Sequence, residues 1–257
     1  VDIIAARRRI AEFEGRFARA QATEVVELGW GHALLQRDYP ASWHHNRIVV
    51  TDDVDPSAVA EAADQVLGGH GHAHRLVHFT DDGQGAAAEE TFAAAGYGVH
   101  ERIVTMIHSG DLPPRVDGAE EIPFDVWRPS LIHDWRTEFP NDSEDAVAQL
   151  ADRTKLYPLG ADVTLLGVKD GADVVARGEL YTRDGVAQFE NIVTRLEHRG
   201  KGYARALVAE ALHRSHAAGC DLWFLIAEAT DWPRGWYHRM GYREVAEAHI
   251  YQRTPDQ

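Results

Sequence analysis

The order of elements written into the sequence predicts an α+β fold. Three observations carry that expectation. Each half of the chain reads as strand, helix, strand, helix, Gly-Tyr, strand. The second half holds a meander of β-rich runs separated by Asp170–Gly171 and Asp184–Gly185, the turn chemistry of hairpins. AAAGYGVHERIVTMIH in the first half also matches HRMGYREVAEAHIYQR in the second, more in element order than in identity. The stretch Gly110–Glu121 is rich in Pro, Gly and acids and reads as a linker, dividing the chain into domains 1–112 and 113–257.

In the first half a helix is expected over Asp2–Ala20, with Ile3, Ile4, Ile10, Phe13 and Phe17 near helical spacing. A polar region containing Gly and Trp follows, then a strand over Asn46–Thr51. Asp55 as cap and Pro56 in the first turn start a helix that Gly68–Gly69 stops. Arg75–Thr80 reads as a strand, Gly85–Tyr97 as a helix ending at Gly96, and Val99–His108 as another strand. In the second half FDVWRP (Phe124–Pro129) reads as a strand and the segment from Ser130 to Arg153 as helical. The meander leads to a helix with Ala204, Leu207, Val208, Ala211 and Leu212 on one face. CDLWFLIA is a buried strand, ATDWPRGWYHRMGY a loop with a short helix, and REVAEAHIYQR the closing strand.

Composition narrows the function classes. The chain is 44% hydrophobic, enough for a real core, and has no apolar run long enough to span a bilayer. The N-terminal VDIIAARRRIAEFEGRF alternates charge with apolar residues, unlike a secretory signal. One cysteine, Cys220, excludes an internal disulfide framework and fits a reducing, cytoplasmic setting. An excess of 41 acids over 26 bases argues against nucleic acid or an anionic membrane as main partner; it favours a cationic ligand, with solubility alone as the plain alternative.

Against a net charge of -15, the stretch TRLEHRGKGYAR gathers Arg195, Arg199, Lys201 and Arg205 ahead of a helix. A helix start exposes unpaired N–H groups and a partial positive charge, which suits phosphate. Gly200 and Gly202 leave those amides approachable and permit left-handed turns, Arg199 and Lys201 add charge, and small Ala204 keeps the first turn open. A solvated basic loop is the plain alternative, but a strand before and a helix after favour a pyrophosphate cradle. The pattern is neither a Walker loop nor a dinucleotide G-x-G-x-x-G.

With these residues in place the second half, about Glu121 to Arg253, resembles the GCN5-related N-acetyltransferases (GNAT), whose acetyl-CoA loop Q/R-x-x-G-x-G/A is matched by Arg199, Gly202 and Ala204. The resemblance implies two GNAT-like domains, each a central mixed, mostly antiparallel sheet flanked by helices. It implies a cofactor, acetyl-CoA (CoA), held by the main chain of Ile192, Val193 and Thr194 and by the amides of Arg199, Gly200, Lys201, Gly202, Tyr203 and Ala204. A strand N–H aimed at the thioester oxygen would stabilise developing charge. By the same resemblance Tyr237, four residues before Gly241 in YHRMGY, is the general acid for the departing thiolate; packing of the short helix is its alternative role. The general base is Glu190 or Glu228, or a water relayed by one of them, and surface glutamates are the alternative reading of both. Two family positions are absent, with Leu225 where a glutamate is sometimes found and Thr230 where an asparagine often stands.

The expected reaction is acetyl transfer to a primary amine of a small molecule or peptide, directly in a ternary complex; a polyamine or an aminoglycoside-like amine fits the acidity. A non-catalytic acyl-CoA sensor or scaffold, and a pure partner-binding protein, are the competing readings. A monomer or a homodimer is equally compatible. Cys220 reads as a small buried hydrophobe rather than an acyl carrier. No metal site is expected: His70, His72, His74 and His78 lack zinc-ligand spacing and read as incidental surface histidines. His44–His45 beside Trp43, and Trp232 and Trp236 around Tyr237, are candidates for ligand-pocket walls or for packing. In the first half the counterpart of the cofactor loop is DDVDP, between Thr51 and Pro56, short, acidic and without glycine, and Phe92 stands where Tyr237 would. That half is expected to be a degenerate domain unable to use acetyl-CoA, serving to wall the acceptor cleft.

Overall fold

The computed structural model of the protein describes residues 2–254. Its elements are α1 (Ile3–Gln21), β1 (Glu24–Glu27), β2 (Gly31–Leu35), β3 (Arg47–Val50), α2 (Pro56–Gly69), β4 (Arg75–Phe79), α3 (Asp82–Ala87), α4 (Glu89–Ala94), β5 (Val99–His108) and β6 (Ala119–Glu121). Then follow α5 (Phe124–Glu138), α6 (Glu144–Asp152), β7 (Asp162–Asp170), β8 (Asp173–Arg183), β9 (Val186–Thr194), α7 (Tyr203–Ala217), β10 (Leu222–Glu228), α8 (Pro233–Arg239) and β11 (Tyr242–Arg253). The fold is α+β, with mixed, mostly antiparallel strand pairing and flanking helices. No helix among the described residues is long and apolar enough to cross a membrane.

Two compact units divide the chain, each named here by its crossover helix. The α7 unit comprises Val1–Phe17, Ile107–Leu225 and Arg239–Arg243; the α2 unit comprises Ala18–Met106, Ile226–His238 and Glu244–Gln257. This grouping differs from a single cut after residue 112, and packing gives the reason. In the α7 unit, Phe13 of α1 meets Phe224 edge-on at 5.8 Å and Phe17 stacks on Tyr181 at 4.8 Å. In the α2 unit, His249–Arg253 of β11 pairs antiparallel with Arg75–Phe79 of β4. Val1 and residues 255–257 lie outside the described residues.

In the α7 unit β6, β7, β8 and β9 form the antiparallel meander, and β9 pairs in parallel with β10 through the α7 crossover. Leu207, Val208, Ala211 and Leu212 of α7 are buried, and Ile122, Trp127, Leu131, Ala151 and Val174 make a second apolar cluster. In the α2 unit β1, β2 and β3 are antiparallel, and β3 pairs in parallel with β4 through α2. Its core joins Ile48, Val50, Val59, Leu67, Phe79, Phe92 and Tyr251. Each unit therefore carries one parallel pair closed by a helix, the arrangement a crossover connection requires.

Three expectations are corrected. Phe124–Pro129 is helix, not strand: Pro123 leads into α5, and Trp127 and Leu131, four apart, are both buried, so the helical period overrides the β-forming residues of FDVWRP. The segment from Gly85 to Tyr97 is two short helices, α3 and α4, meeting at Ala88. In α1, Ile10 and Phe13 are buried while Ile4 is 82% exposed, so the apolar face begins later than expected. The polar region after α1 contains the hairpin β1–β2, closed by Leu28 N–H donating to Gly31 O at 2.9 Å with Gly29 left-handed at φ 81°. EVVE before Gly29 and Gly31 was its available signal.

Candidate active site

The candidate cofactor loop, Arg199–Ala204, lies in the α7 unit, between β9 and α7. After Thr194 a short 3-10 turn over Leu196–His198 leads to Gly200 and Gly202, both left-handed at φ 79° and 85°. A Cβ at either glycine would meet nothing within 4 Å, so both face open space. Gly202 is the N-cap of α7 and gives it no side-chain hydrogen bond, and the first turn holds no acid. Helical bonding begins with Ala206 N–H donating to Gly202 O at 3.1 Å, which leaves the helix start without a side-chain acceptor. Arg199 folds back, its Nε donating to Thr194 O at 3.2 Å, and Lys201 Nζ lies 3.4 Å from His198 Nδ1. Thr194 Oγ1 and Arg195 Nε are buried with no hydrogen-bond partner. Open glycines, an uncapped helix start and orphaned polar atoms fit an anionic group such as a pyrophosphate.

The strand before the loop is open along one edge. Register between β9 and β10 covers Val186–Gln188 against Leu222–Phe224, whereas β9 continues to Thr194. Ile192, Val193 and Thr194 thus lie on the stretch of β9 that β10 does not pair, and all three are half-buried. Glu190, also on β9, is half-buried and accepts from Gln188 Nε2 at 3.2 Å.

The other two candidates belong to the α2 unit. Glu228, exposed at the end of β10, accepts from Thr230 Oγ1 at 3.3 Å. Tyr237 is buried in α8 beside Trp236, ring centroids 5.2 Å apart, and Trp232 is 67% exposed. Cys220 is buried, and burial with nearby Asp221 pushes its thiol pKa up, away from nucleophilic use.

The first-half counterpart is built differently. Asp55 caps α2 by accepting from Ser57 N–H at 2.8 Å, and hydrogen bonds from Ser57 hold its carboxyl below the usual range. Trp30 O accepts from the N–H groups of Thr51 and Asp52 at 3.1 and 3.0 Å. Ile48, Val49 and Val50 pair with Val77, His78 and Phe79, and Thr80 N–H donates to Val50 O, so β3 is paired to its last residue. Phe92 is fully buried.

The histidine cluster is not all on the surface. His74 is buried, stacked on Trp43 at 4.9 Å with Nε2 2.8 Å from Asn46 O, and burial lowers its pKa to about 4. His78 Nε2 is buried without a hydrogen-bond partner, and burial lowers its pKa to about 3. His45 is tied to Ser42 Oγ at 2.8 Å and Gln21 Oε1 at 2.9 Å, a packing role. A different set, Asp82, Glu247 and His249, brings potential ligand atoms within 4.8 Å of one another. Both ring nitrogens of His249 are engaged, Nε2 with Asp82 at 2.9 Å and Nδ1 with His100 at 2.8 Å, and Arg102 pairs with Glu247. Asp82 is far in sequence from Glu247 and His249, which stand two residues apart on β11, and the β4–β11 pairing with α3 brings the three together.

One polar cluster of the α7 unit was not anticipated. Arg177, Glu179 and Tyr181, alternate residues of β8, are all buried. Glu179 Oε2 accepts from Tyr181 Oη and from Asn191 Nδ2, and Arg177 Nε donates to Asp134 Oδ2 at 2.8 Å. Two charges inside the strand RGELY were the available signal.

Residues 162–244 match the model of an acetyltransferase (GNAT) domain. No curated protein matches the sequence. Among solved structures, a GCN5-related N-acetyltransferase from Kribbella flavida is similar at 18% identity and a TM-score of 0.64, covering 96% of this chain and 95% of that one. A functionally unknown conserved protein from Staphylococcus epidermidis gives 12% identity and a TM-score of 0.67, with 91% and 94% coverage. A tandem GNAT protein from the clavulanic acid biosynthesis pathway gives 13% identity and a TM-score of 0.58, with 87% and 78% coverage. These likenesses establish a shared fold, and residues 162–244 of the chain are similar to the acetyltransferase (GNAT) domain.

Proposed function

We propose that the protein is an acetyl-CoA-dependent N-acetyltransferase that acetylates a primary amine of a small molecule or peptide by direct transfer in a ternary complex. The observation that carries this reading is the uncapped, glycine-opened start of α7 following the unpaired end of β9. Acetyl-CoA supplies the activated acyl group. The amides of Arg199–Ala204 would hold its pyrophosphate, with Arg199 bracing the loop against Thr194. The main chain of Ile192, Val193 and Thr194 would orient the pantetheine arm, and one of its N–H groups would stabilise negative charge at the acyl oxygen. Tyr237 would protonate the leaving thiolate, and Glu190 or Glu228 would take the proton of the attacking amine.

The second half alone is proposed to use the cofactor. Support comes from the first-half loop: the Asp55 carboxylate already occupies the N-terminus of α2, and β3 offers no unpaired end. Net charge -15 supports a cationic amine acceptor.

The test is CoA-thiol release from acetyl-CoA with a panel of polyamines, aminoglycoside-like amines and peptide amines, with Gly202→Val as control. Amine-dependent release by the wild type and none by the variant is the expected result. No release with any amine overturns the enzymatic reading, and CoA binding in that case leaves a sensor.

A further inference from the structure

Asn191 is the one residue of β9 with a left-handed backbone, at φ 53°. Register identifies the cause: Arg177 opposes Val193 and Glu179 opposes Glu190, so β9 carries one extra residue where β8 spends one. This is a β-bulge, which bends a strand and re-aims the groups that follow it. The groups that follow are the main chain of Ile192, Val193 and Thr194. Asparagine tolerates this region better than most residues, yet less freely than glycine.

Two buried side chains of β8 grip the bulge from both ends. The Glu179 carboxylate accepts from Asn191 Nδ2 at 2.5 Å, and Arg177 Nη1 reaches Asn191 O at 3.5 Å. Each grip is itself fixed. Tyr181 Oη donates to the same Glu179 oxygen, while Asp134 of α5 and the Trp127 ring, 5.3 Å away, hold the Arg177 guanidinium. Glu179 is only 1% exposed, whereas Asn191 is exposed at the surface. Burying a carboxylate and a guanidinium costs more than an apolar pair would, so packing alone does not account for them. An exposed asparagine needs no buried partner for solvation either.

We infer that Glu179, together with Arg177, is a positioning residue that locks Asn191 in its left-handed conformation and thereby aims the β9 main chain of Ile192–Thr194 toward the acyl group. The inference rests on the acetyltransferase reading for its consequence in turnover, but not for the clamp itself. The clamp's hydrogen bonds reach β9 at Asn191, next to Ile192–Thr194 and ahead of the loop Arg199–Ala204, so it acts on the reacting end rather than on anchoring.

Glu179→Gln tests it, because a neutral amide oxygen replaces the charged one that accepts from both Tyr181 Oη and Asn191 Nδ2, and so weakens both hydrogen bonds. In the full chain without ligand, amide hydrogen exchange over residues 189–194 should rise by about 10-fold. With acetyl-CoA and an active amine, kcat should fall by about 10-fold while KM for acetyl-CoA stays within about 2-fold. Adding Asn191→Gly to Glu179→Gln should restore about half or more of the lost kcat on a logarithmic scale, since glycine takes this backbone without a clamp. Asn191→Ala, which leaves the Glu179–Tyr181 pair in place, should reproduce the Glu179→Gln effects and guards against a variant that fails to fold. Unchanged exchange in both single variants overturns the clamp, as does a double variant no faster than Glu179→Gln. If the wild type acetylates no amine, the acetyltransferase reading fails, and the exchange comparison still decides whether the clamp exists.

Discussion

Gly202 and Asp55 occupy equivalent places at the starts of α7 and α2, and they do opposite things there. Asp55 fills its helix start with a carboxylate, whereas Gly202 leaves α7 open in a conformation that costs other residues about 1–2 kcal/mol. Gly202→Val therefore strains the loop and fills the space beside the amides. CoA affinity should drop by at least about 10-fold with the fold retained by circular dichroism. Tyr237→Phe keeps the ring packed against Trp236 but removes the phenolic proton. Turnover should fall by about 100-fold with CoA affinity within about 2-fold, and undiminished kcat would assign proton donation elsewhere. At this scale the left-handed glycines and the helix start after them were legible, because Gly200 and Gly202 stand between a strand-like run and an amphipathic one. Glu179 and Asn191 were not, because a glutamate in a sequence reads as exposed, and only the partner strand shows that this one is buried.

The parallel pairs β3–β4 and β9–β10 explain much of the difference between the units. Pairing to the last residue closes the first, while pairing over Val186–Gln188 leaves the end of β9 unpaired by β10. Strand β4 and the residues before it also set a pH response. His74 and His78 are held below the ordinary 6.5, at about 4 and about 3, because burial disfavours their charged forms. Below pH 6.5 the unfolded chain takes up protons that the native histidines refuse, so stability holds above that pH and declines toward pH 4. Tm should be lower at pH 5 than at pH 7, and His78→Leu should reduce that difference; equal Tm values at the two pH values would contradict buried neutral histidines. Elements with turn punctuation, such as β7–β9 and α2, were readable from the chain. The helical α5 was not, because FDVWRP is short and rich in the β-formers Phe, Val and Trp, and the helical period emerges only with Leu131.

For the whole molecule, the repeat seen in the sequence becomes two crossover helices, α2 and α7, each joining a parallel strand pair. Element order was legible because hydrophobic period and turn residues are local. The membership of the compact units was not, since it depends on which side chains α1 meets and on the pairing of β11 with β4, both long-range events. The loop Arg199–Ala204 carries glycines and positive charge at a helix start, whereas its first-half counterpart DDVDP carries neither, so one chain is expected to bind one cofactor. Calorimetric titration of the full chain with acetyl-CoA tests this most directly. One site per chain in the wild type, lost in Gly202→Val and retained when Asp55 is changed to Ala, is the predicted result. Two sites per chain, or binding untouched by Gly202→Val, would contradict it.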